Sequence, residues 1–369
     1  MNVLSRLDEE LLIGFGEVID RIVSSTIGTG PIIRYGRNGP FLMRYSWMKV
    51  YDETRQRYGR PLTLLAAEAL KRSVGEGDCV IIITNSQEMD GPAGAAALAR
   101  ALVVGLRAVP IIVTEHGENA KYQRTSIRTL FDTCIGAELI PVAEPEELRG
   151  NIHTPCTVLI RGWPAMSTAT AGEAAEKLLD EFNPKAVITV EVMSCNKKGV
   201  RHGALGDSSS SGDPEEKMIR WNEILDSANR RKILTIATGD NGNECGFGTI
   251  EDILKRHHKF CADCGCPCGA GIVSASKADI VIPATSSNWA CYGIEACLAK
   301  ILNKPEVMHT EYTENRTLVN CANAGIPDGA TAMCTPTIDG ASHEACIYVV
   351  GMLRQTVLMS SVEIIRESR

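Results

Sequence analysis

Residues 79–102 read CVIIITNSQEMDGPAGAAALARAL, an uninterrupted apolar run followed by a polar loop and a segment rich in small residues. An apolar run of strand length before a helical segment is typical of a parallel strand that is buried on both faces. Further runs of this kind occupy residues 108–114, 157–160, 186–192, 232–237 and 279–283. The sequence therefore predicts an α/β fold, a doubly wound and mostly parallel sheet with helices on both faces.

The segments between these runs have helical periodicity. Helices are predicted over residues 9–24, 93–104, 120–131, 171–182, 215–229, 249–258, 290–302 and 341–365. Loops are predicted at Gly28, Gly30, Pro31, Gly36, Gly39 and Pro40, at residues 208–212, and over residues 308–340. We expect residues 1–60 to form a helical and loop segment that packs on one elaborated domain of residues 61–369.

The composition narrows the class of protein. Of 369 residues, 44% are hydrophobic and 22% are charged, as in globular proteins, which excludes a disordered or fibrous chain. The net charge of −7 argues against a nucleic-acid partner, because phosphate binding needs concentrated Lys and Arg. No apolar run is long enough to span a bilayer, and the acidic N-terminus does not resemble a targeting peptide. We expect a cytoplasmic protein without a membrane partner.

Ligands of open parallel sheets bind beyond the carboxyl ends of the strands, so the loops there hold the candidate residues. After the first strand, Asp90, Gly91 and Gly94 begin a helix whose free N–H groups could receive a carboxylate or phosphate. A capped helix that packs closely on the sheet is the alternative. The turn lacks the GxGxxG pattern, which argues against a dinucleotide-dependent oxidoreductase.

Three later strands also end in polar loops. The fourth is followed by Glu191, Asn196, Lys198 and His202, the fifth by Asp240, Asn243 and Glu244, and the sixth by Ser287 and Asn288. Glu191 continues an apolar strand, and burial would raise its pKa toward a range useful for acid and base catalysis. Asp240 and Glu244 could act as an acid and base pair or bind Mg²⁺ or Mn²⁺ through carboxylate oxygens. Asx turns, a solvated surface loop and a plain helix N-cap are the structural alternatives.

Four of the fourteen cysteines form a cluster. They are Cys261, Cys264, Cys266 and Cys268, and they follow two histidines. Thiolates select Zn²⁺, Cu(I) or iron–sulfur centres, but structural zinc sites usually pair two C-x₂₋₄-C units that are farther apart. A metal site and a reduced, packed loop both remain open.

Several of these segments together resemble the family of the C-terminal domain of the mitochondrial D-glutamate cyclase. The matching segments are DGPAGAAALARAL, VEVMSCNKKGVRHG, GDNGNECGFG, SNWACYG, GIPDG and TIDG, in that order, between about residues 80 and 340. The resemblance implies that one pocket is shared by Asp90, Gly91, Glu191, Asn196, Lys198, His202, Asp240, Asn243, Glu244, Ser287 and Asn288. It does not extend to the cysteine cluster.

The resemblance implies a lyase that closes D-glutamate to 5-oxo-D-proline with loss of water. We expect Asp240 and Glu244 to activate the γ-carboxyl group, directly or through Mg²⁺ or Mn²⁺, and Glu191 or His202 to take the amine proton. Asp90 would orient the ammonium group. The start of the 91–104 helix, Lys198 and Asn288 would hold the α-carboxylate.

Other functions and arrangements remain open at this point. The mitochondrial enzyme carries a second, hydro-lyase-like domain, so this chain is a complete enzyme, needs a separately encoded partner, or acts on another small acid. A non-catalytic module that binds an amino acid or nucleotide is the alternative function. We also expect a homo-oligomer.

Overall fold

The computed structural model describes residues 3–25, 39–116, 126–149, 156–206 and 218–360. Seven strands in this part of the chain form one sheet in which every pairing is parallel. They are β1 (Cys79–Thr84), β2 (Val109–His116), β3 (Ile140–Val142), β4 (Thr157–Pro164), β5 (Ala186–Val190), β6 (Leu234–Gly239) and β7 (Ile280–Pro283). The predicted α/β fold with a parallel sheet is confirmed.

The strand order is β3-β4-β2-β1-β5-β6-β7, so the chain winds outward from β1 in one direction and from β5 in the other. Ile82 of β1 lies opposite Ile112 of β2 on one side and Ile188 of β5 on the other. The point between β1 and β5 is therefore the switch point of the sheet. In doubly wound sheets, a crevice opens there beyond the carboxyl ends of the strands.

Thirteen α-helices accompany the sheet in the described residues. They are α1 (Val3–Val23), α2 (Gly39–Tyr58), α3 (Leu62–Ser73), α4 (Asp90–Leu106), α5 (Ser126–Gly136), α6 (Pro145–Arg149), α7 (Thr168–Phe182), α8 (Asn222–Arg230), α9 (Glu251–His257), α10 (Lys259–Ala262), α11 (Ser287–Leu302), α12 (Glu311–Ala324) and α13 (His343–Ser360).

Alternate residues of the central strands enter two hydrophobic cores, one on each face of the sheet. Val80 and Ile82 pack with residues of α1, α3, α4, α11 and α13 on one face. Ile81 and Ile83 pack with residues of α2, α7, α8 and α9 on the other face. Burial on both faces explains why the strands are continuous runs of Val and Ile rather than alternating patterns.

The helix α12 corrects the prediction that residues 308–340 form a loop. The Thr310 side chain accepts a hydrogen bond from the Thr313 N–H, and Gly325 ends the helix with a φ of 91°. These are ordinary start and stop signals, which the richness of the segment in Thr, Asn and Gly obscured. Two further corrections are that Gly39 and Pro40 begin α2 and that the three-residue strand β3 was not predicted.

Other boundaries differ by a few residues. The helix predicted over residues 215–229 begins at Asn222, and the helix predicted over residues 120–131 begins at Ser126 in the described part of the chain. The predicted loops at Gly28, Gly30, Pro31, Gly36 and residues 208–212, and the predicted helix end at residues 361–365, lie outside the described residues.

A buried carboxylate joins the N-terminal helices to one another. Asp20 of α1 accepts hydrogen bonds from the backbone N–H of Leu62 at 2.5 Å and of Thr63 at 3.1 Å, at the start of α3. The Tyr51 hydroxyl of α2 donates to the same carboxylate at 2.7 Å. The Thr63 hydroxyl also donates to Asp20. Burial raises the pKa of Asp20 despite these four hydrogen bonds. The division into residues 1–60 and 61–369 stays a prediction. No described helix is both long and apolar enough to cross a membrane.

Gly94 sets the distance between α4 and α11 and offers a test of this packing. A Cβ atom at Gly94 would lie 2.7 Å from the Cα atom of Asn288 and 3.1 Å from Val190 Cγ1. We expect Gly94→Ala to lower the free energy of unfolding by about 1–3 kcal/mol, because two backbones must move apart. Urea denaturation measures the effect.

Gly14 is the matched control, since it is exposed in α1 and a Cβ atom there meets nothing within 4 Å. Gly14→Ala should be neutral or stabilising by about 0.5–1 kcal/mol. Equal effects of the two substitutions would contradict the close contact at Gly94.

Candidate active site

Five carboxylate groups converge beyond the carboxyl ends of β1, β5 and β6. One oxygen from each of Glu88, Asp90 and Glu191 lies within 4.8 Å of the others, and the same holds for Glu191, Asp240 and Glu244. Glu191 belongs to both groups, so the two sets form one cluster at the switch point. Hereafter these five residues are called the carboxylate cluster.

Glu191, which both groups share, has an unusual backbone conformation at the end of β5. Its φ of 49° turns the chain sharply after β5, in a region that few residues other than glycine adopt. The Asn85 side-chain amide donates a hydrogen bond to the Glu191 carbonyl oxygen, which ties the ends of β1 and β5 together. The Ser287 hydroxyl donates to Glu191 Oε2. Ser287, one of the predicted substrate-binding residues, is thus a neighbour of the cluster.

Asp90 lies at the start of α4, and its carboxylate is already hydrogen bonded. The backbone N–H of Gly91 donates to Asp90 Oδ1 at 2.9 Å, and that of Ser287 donates to Oδ2 at 3.3 Å. One of the N–H groups predicted to receive a ligand anion therefore contacts Asp90. Gly91 itself is confined, because a Cβ atom there would lie 2.7 Å from Thr84 Oγ1.

Glu244 is fully buried and holds its own loop in shape. Its Oε1 accepts from the N–H groups of Asp240 at 2.8 Å and Asn241 at 2.7 Å, and its Oε2 accepts from Gly242 at 2.5 Å. Burial raises the pKa of Glu244, and these backbone hydrogen bonds oppose the rise. Because three backbone N–H groups donate to it, the Glu244 carboxylate stabilises this loop, whether or not it also takes part in the chemistry. One of these hydrogen bonds fixes the backbone of Asp240.

Burial raises the pKa values of four members of the cluster, Glu88, Asp90, Glu191 and Glu244, because the charged form of each loses its contact with solvent. The pKa values of Asp90 and Glu191 lie well above their ordinary values, first through burial and then through the surrounding negative charges. The same causes raise the pKa of Glu88 to about 8. A cluster of this kind holds protons at neutral pH or binds a cation.

Asn243, in the loop after β6, and Asn288, in the first turn of α11, are both buried. The Asn243 side-chain amide donates to the His202 carbonyl oxygen at 2.8 Å. The Ser286 hydroxyl donates to Asn288 Oδ1 at 2.6 Å, at the start of α11.

His202, Asn196 and Lys198 belong to a second group of residues. His202 Nε2 lies 3.3 Å from the Cys266 sulfur and 3.7 Å from the Cys268 sulfur. Asn196 Oδ1 accepts from the backbone of Lys198 at 2.9 Å, within a turn where the Lys198 side chain is exposed.

Three of the four clustered cysteines join His202, and the fourth does not. One side-chain atom from each of His202, Cys264, Cys266 and Cys268 lies within 4.8 Å of the others. The Cys261 sulfur instead lies 3.5 Å from the Asn241 carbonyl oxygen, below the loop of Glu244.

Glu88 and Asp339 were not predicted to belong to the site. The Glu88 carboxylate lies against Gly329, and the charge of Asp339 adds to the rise in pKa of both Glu88 and Asp90. Asp328 holds this last loop, since it accepts from Thr331 Oγ1 at 3.0 Å and Thr337 Oγ1 at 2.9 Å. The available signals were the position of Glu88 two residues before Asp90 and the two Asp-Gly turns.

The fold and the site together define a doubly wound α/β protein with five clustered carboxylates at the switch point of its sheet. A model of the D-glutamate cyclase-like, C-terminal family matches residues 77–354, about three quarters of the chain. The chain therefore belongs to the D-glutamate cyclase-like family, and the match includes the whole carboxylate cluster. A search of curated proteins found no match.

The raised pKa of Glu88 predicts how stability depends on pH. Between its ordinary value of 4.5 and about 8, the folded chain keeps a proton that the unfolded chain releases. A rise in pH through this window should therefore lower the free energy of unfolding, by about 1–3 kcal/mol for such a group. Urea denaturation near pH 5.5 and near pH 8, without added divalent ions, measures the difference.

Glu88→Gln removes the titrating group and should reduce this loss of stability. An unchanged pH dependence in Glu88→Gln would show that Glu88 is ionised in the folded chain across the whole window.

Proposed function

We propose that the chain is a lyase that converts D-glutamate to 5-oxo-D-proline with loss of water, and that the carboxylate cluster is its active site. The observation that carries the proposal is the convergence of five carboxylates at the switch point of a D-glutamate cyclase-like protein. Such concentrated negative charge favours a ligand with a positive charge, as the α-ammonium group of an amino acid has. The convergence of four strand-end loops supports one pocket rather than separate surface turns.

The reaction requires both a base and an acid. Ring closure forms a bond from the α-nitrogen to the γ-carbon and breaks one carbon–oxygen bond of the γ-carboxyl group. Two protons leave the ammonium nitrogen and depart with the γ-oxygen as water. The amine must be neutral before it attacks, and the departing oxygen must be protonated.

The cluster offers both functions because its members differ in their surroundings. We assign Asp90 and Glu191 to the ammonium group, with Glu191 as the base, since both border the start of α11 and share Ser287. We assign Glu88 to the acid that protonates the departing oxygen, because its raised pKa of about 8 keeps it protonated at neutral pH. The ammonium group next to Glu191 would instead favour the charged form of that carboxylate, as a base requires. Asp240 would orient the γ-carboxyl group, and Glu244 would hold Asp240 in place. His202 is left out of the reaction because of its contacts with the cysteines.

The start of α11, at Ser287 and Asn288, would bind the α-carboxylate of the substrate. Both residues are fully buried, and the side-chain amide of Asn288 could donate to the α-carboxylate. Binding of both the α-carboxylate and the γ-carboxyl group would keep the nitrogen near the γ-carbon. Restricting the substrate in this way before the reaction can lower the activation free energy by several kcal/mol, roughly 7 or more in the best intramolecular cases.

A divalent ion fits the same residues. Glu191, Asp240 and Glu244 place three hard oxygen ligands within 4.8 Å of one another, which suits Mg²⁺ or Mn²⁺. When bound there, the ion would polarise the γ-carboxyl group. We propose this ion as a cofactor, and a separately encoded partner and a homo-oligomer remain predictions.

The activity is tested by incubating the purified chain with D-glutamate or L-glutamate and separating the 5-oxoproline enantiomers. The assay is run with Mg²⁺, with Mn²⁺ and without added divalent ions. We expect 5-oxo-D-proline from the D-enantiomer. Binding of D-glutamate in calorimetry without product under any of these conditions would contradict the enzyme and favour a binding module.

Conservative variants test the assignment of the cluster. Asp90→Asn and Glu191→Gln should each lower kcat by about 10²-fold or more, because they remove a charge that binds or deprotonates the ammonium group. Glu173→Gln, on an exposed position of α7, is the matched control and should leave kcat unchanged. Circular dichroism checks that the variants are folded. Full activity in both cluster variants would exclude this site.

A further inference from the structure

We propose that His202, Cys264, Cys266 and Cys268 form a structural zinc site that is separate from the carboxylate cluster. The three cysteines belong to the loop between α10 and β7, and His202 belongs to the loop after β5. All four side chains meet although 62 residues separate His202 from the first of these cysteines. The proposal is independent of the proposed reaction because its evidence is a ligand set and its tests measure metal.

The distances between the ligand atoms match a tetrahedron around one ion. Zinc binds sulfur at about 2.3 Å and nitrogen at about 2.0–2.1 Å, so tetrahedral ligands lie about 3.8 Å apart for two sulfurs and about 3.5 Å apart for sulfur and nitrogen. The Cys264 sulfur lies 3.5 Å from that of Cys266 and 3.4 Å from that of Cys268. His202 Nε2 lies 3.3 Å from the Cys266 sulfur and 3.7 Å from the Cys268 sulfur.

Other uses of the cysteines fit these distances less well. A disulfide needs sulfurs about 2.05 Å apart, and all fourteen cysteines of the chain are free thiols. An iron–sulfur cluster distributes its cysteine ligands over several iron atoms, whereas the Cys264 sulfur lies only 3.4–3.5 Å from the other two sulfurs. Three sulfurs and one imidazole nitrogen are a common ligand set of structural zinc.

Hydrogen bonds to two of the sulfurs support their role as ligands. The Asn196 side-chain amide lies 3.4 Å from the Cys268 sulfur, and the backbone N–H of Cys268 lies 3.4 Å from the Cys266 sulfur. Donors of this kind stabilise metal-bound thiolates and fix their orientation. Asn196 also donates to the Gly271 carbonyl oxygen at 2.7 Å, so it connects the same two loops.

The zinc ion would stabilise loops that lie next to the carboxylate cluster. The loop of His202 contacts the loop of the carboxylate cluster through Asn243, which donates to the His202 carbonyl oxygen at 2.8 Å. The hydroxyl groups of Ser194 and Ser274, 2.6 Å apart, join the two zinc-bearing loops a second time. We infer that the ion fixes Asn243 and Glu244 indirectly, without touching the substrate.

Metal analysis of the purified full-length chain tests the proposal. Protein expressed in zinc-supplemented medium should contain about one zinc ion per chain, as measured by elemental mass spectrometry. Zinc X-ray absorption of the wild-type protein should show about three sulfur ligands near 2.3 Å and one nitrogen ligand near 2.0–2.1 Å. The absorption measurement does not depend on any variant being folded.

Variants within the same cysteine motif provide the control. Cys266→Ala and His202→Ala should lower the zinc content at least tenfold in dialysis against a competing chelator, whereas Cys261→Ala should keep the wild-type content, because its sulfur lies at Asn241. The proposal is overturned by a wild-type chain without zinc, by iron with acid-labile sulfide, by a disulfide among these cysteines, or by equal zinc loss in Cys261→Ala and Cys266→Ala.

Discussion

Glu191 belongs to two groups of close carboxylates, one with Glu88 and Asp90 and the other with Asp240 and Glu244. Buried charges of one sign repel one another and cannot be screened by water, so this arrangement destabilises the folded chain unless protons or a cation neutralise it. A binding site tolerates such a cost because its ligand returns the free energy when it binds. The proposed substrate brings such a positive charge in its ammonium group, and in its absence protons on the carboxyl groups would neutralise the cluster.

The rest of the fold holds these groups in place. The switch between β1 and β5 brings Asp90 and Glu191 to one edge of the sheet, and the contact at Gly94 brings the start of α11 against them. Glu244 fixes the loop after β6 through three backbone hydrogen bonds. The proposed zinc ion would hold the neighbouring loop after β5, which contains His202. The proposed catalytic geometry depends on four segments, which follow β1, β5, β6 and β7.

The sequence was informative where the signal is local. Uninterrupted apolar runs located six strands because a buried parallel strand needs Val and Ile on both faces, and the three-residue β3 is too short to give such a run. Glu88 and Asp339 carry no mark of burial in the sequence, since their environment comes from segments more than 200 residues apart. For the same reason, the partnership of His202 with Cys264, Cys266 and Cys268 could not be predicted from cysteine spacing.

Soaking crystals of the chain with D-glutamate or 5-oxo-D-proline tests whether the carboxylate cluster binds the substrate. We expect the ligand beyond the ends of β1 and β5, with its nitrogen within hydrogen-bond distance of Asp90 or Glu191 and its γ-carbon facing Asp240 and Glu88. Density for the ligand at another place in the fold, or an anionic group of the ligand against Glu191 with its nitrogen turned away, would show that the cluster is not the substrate site.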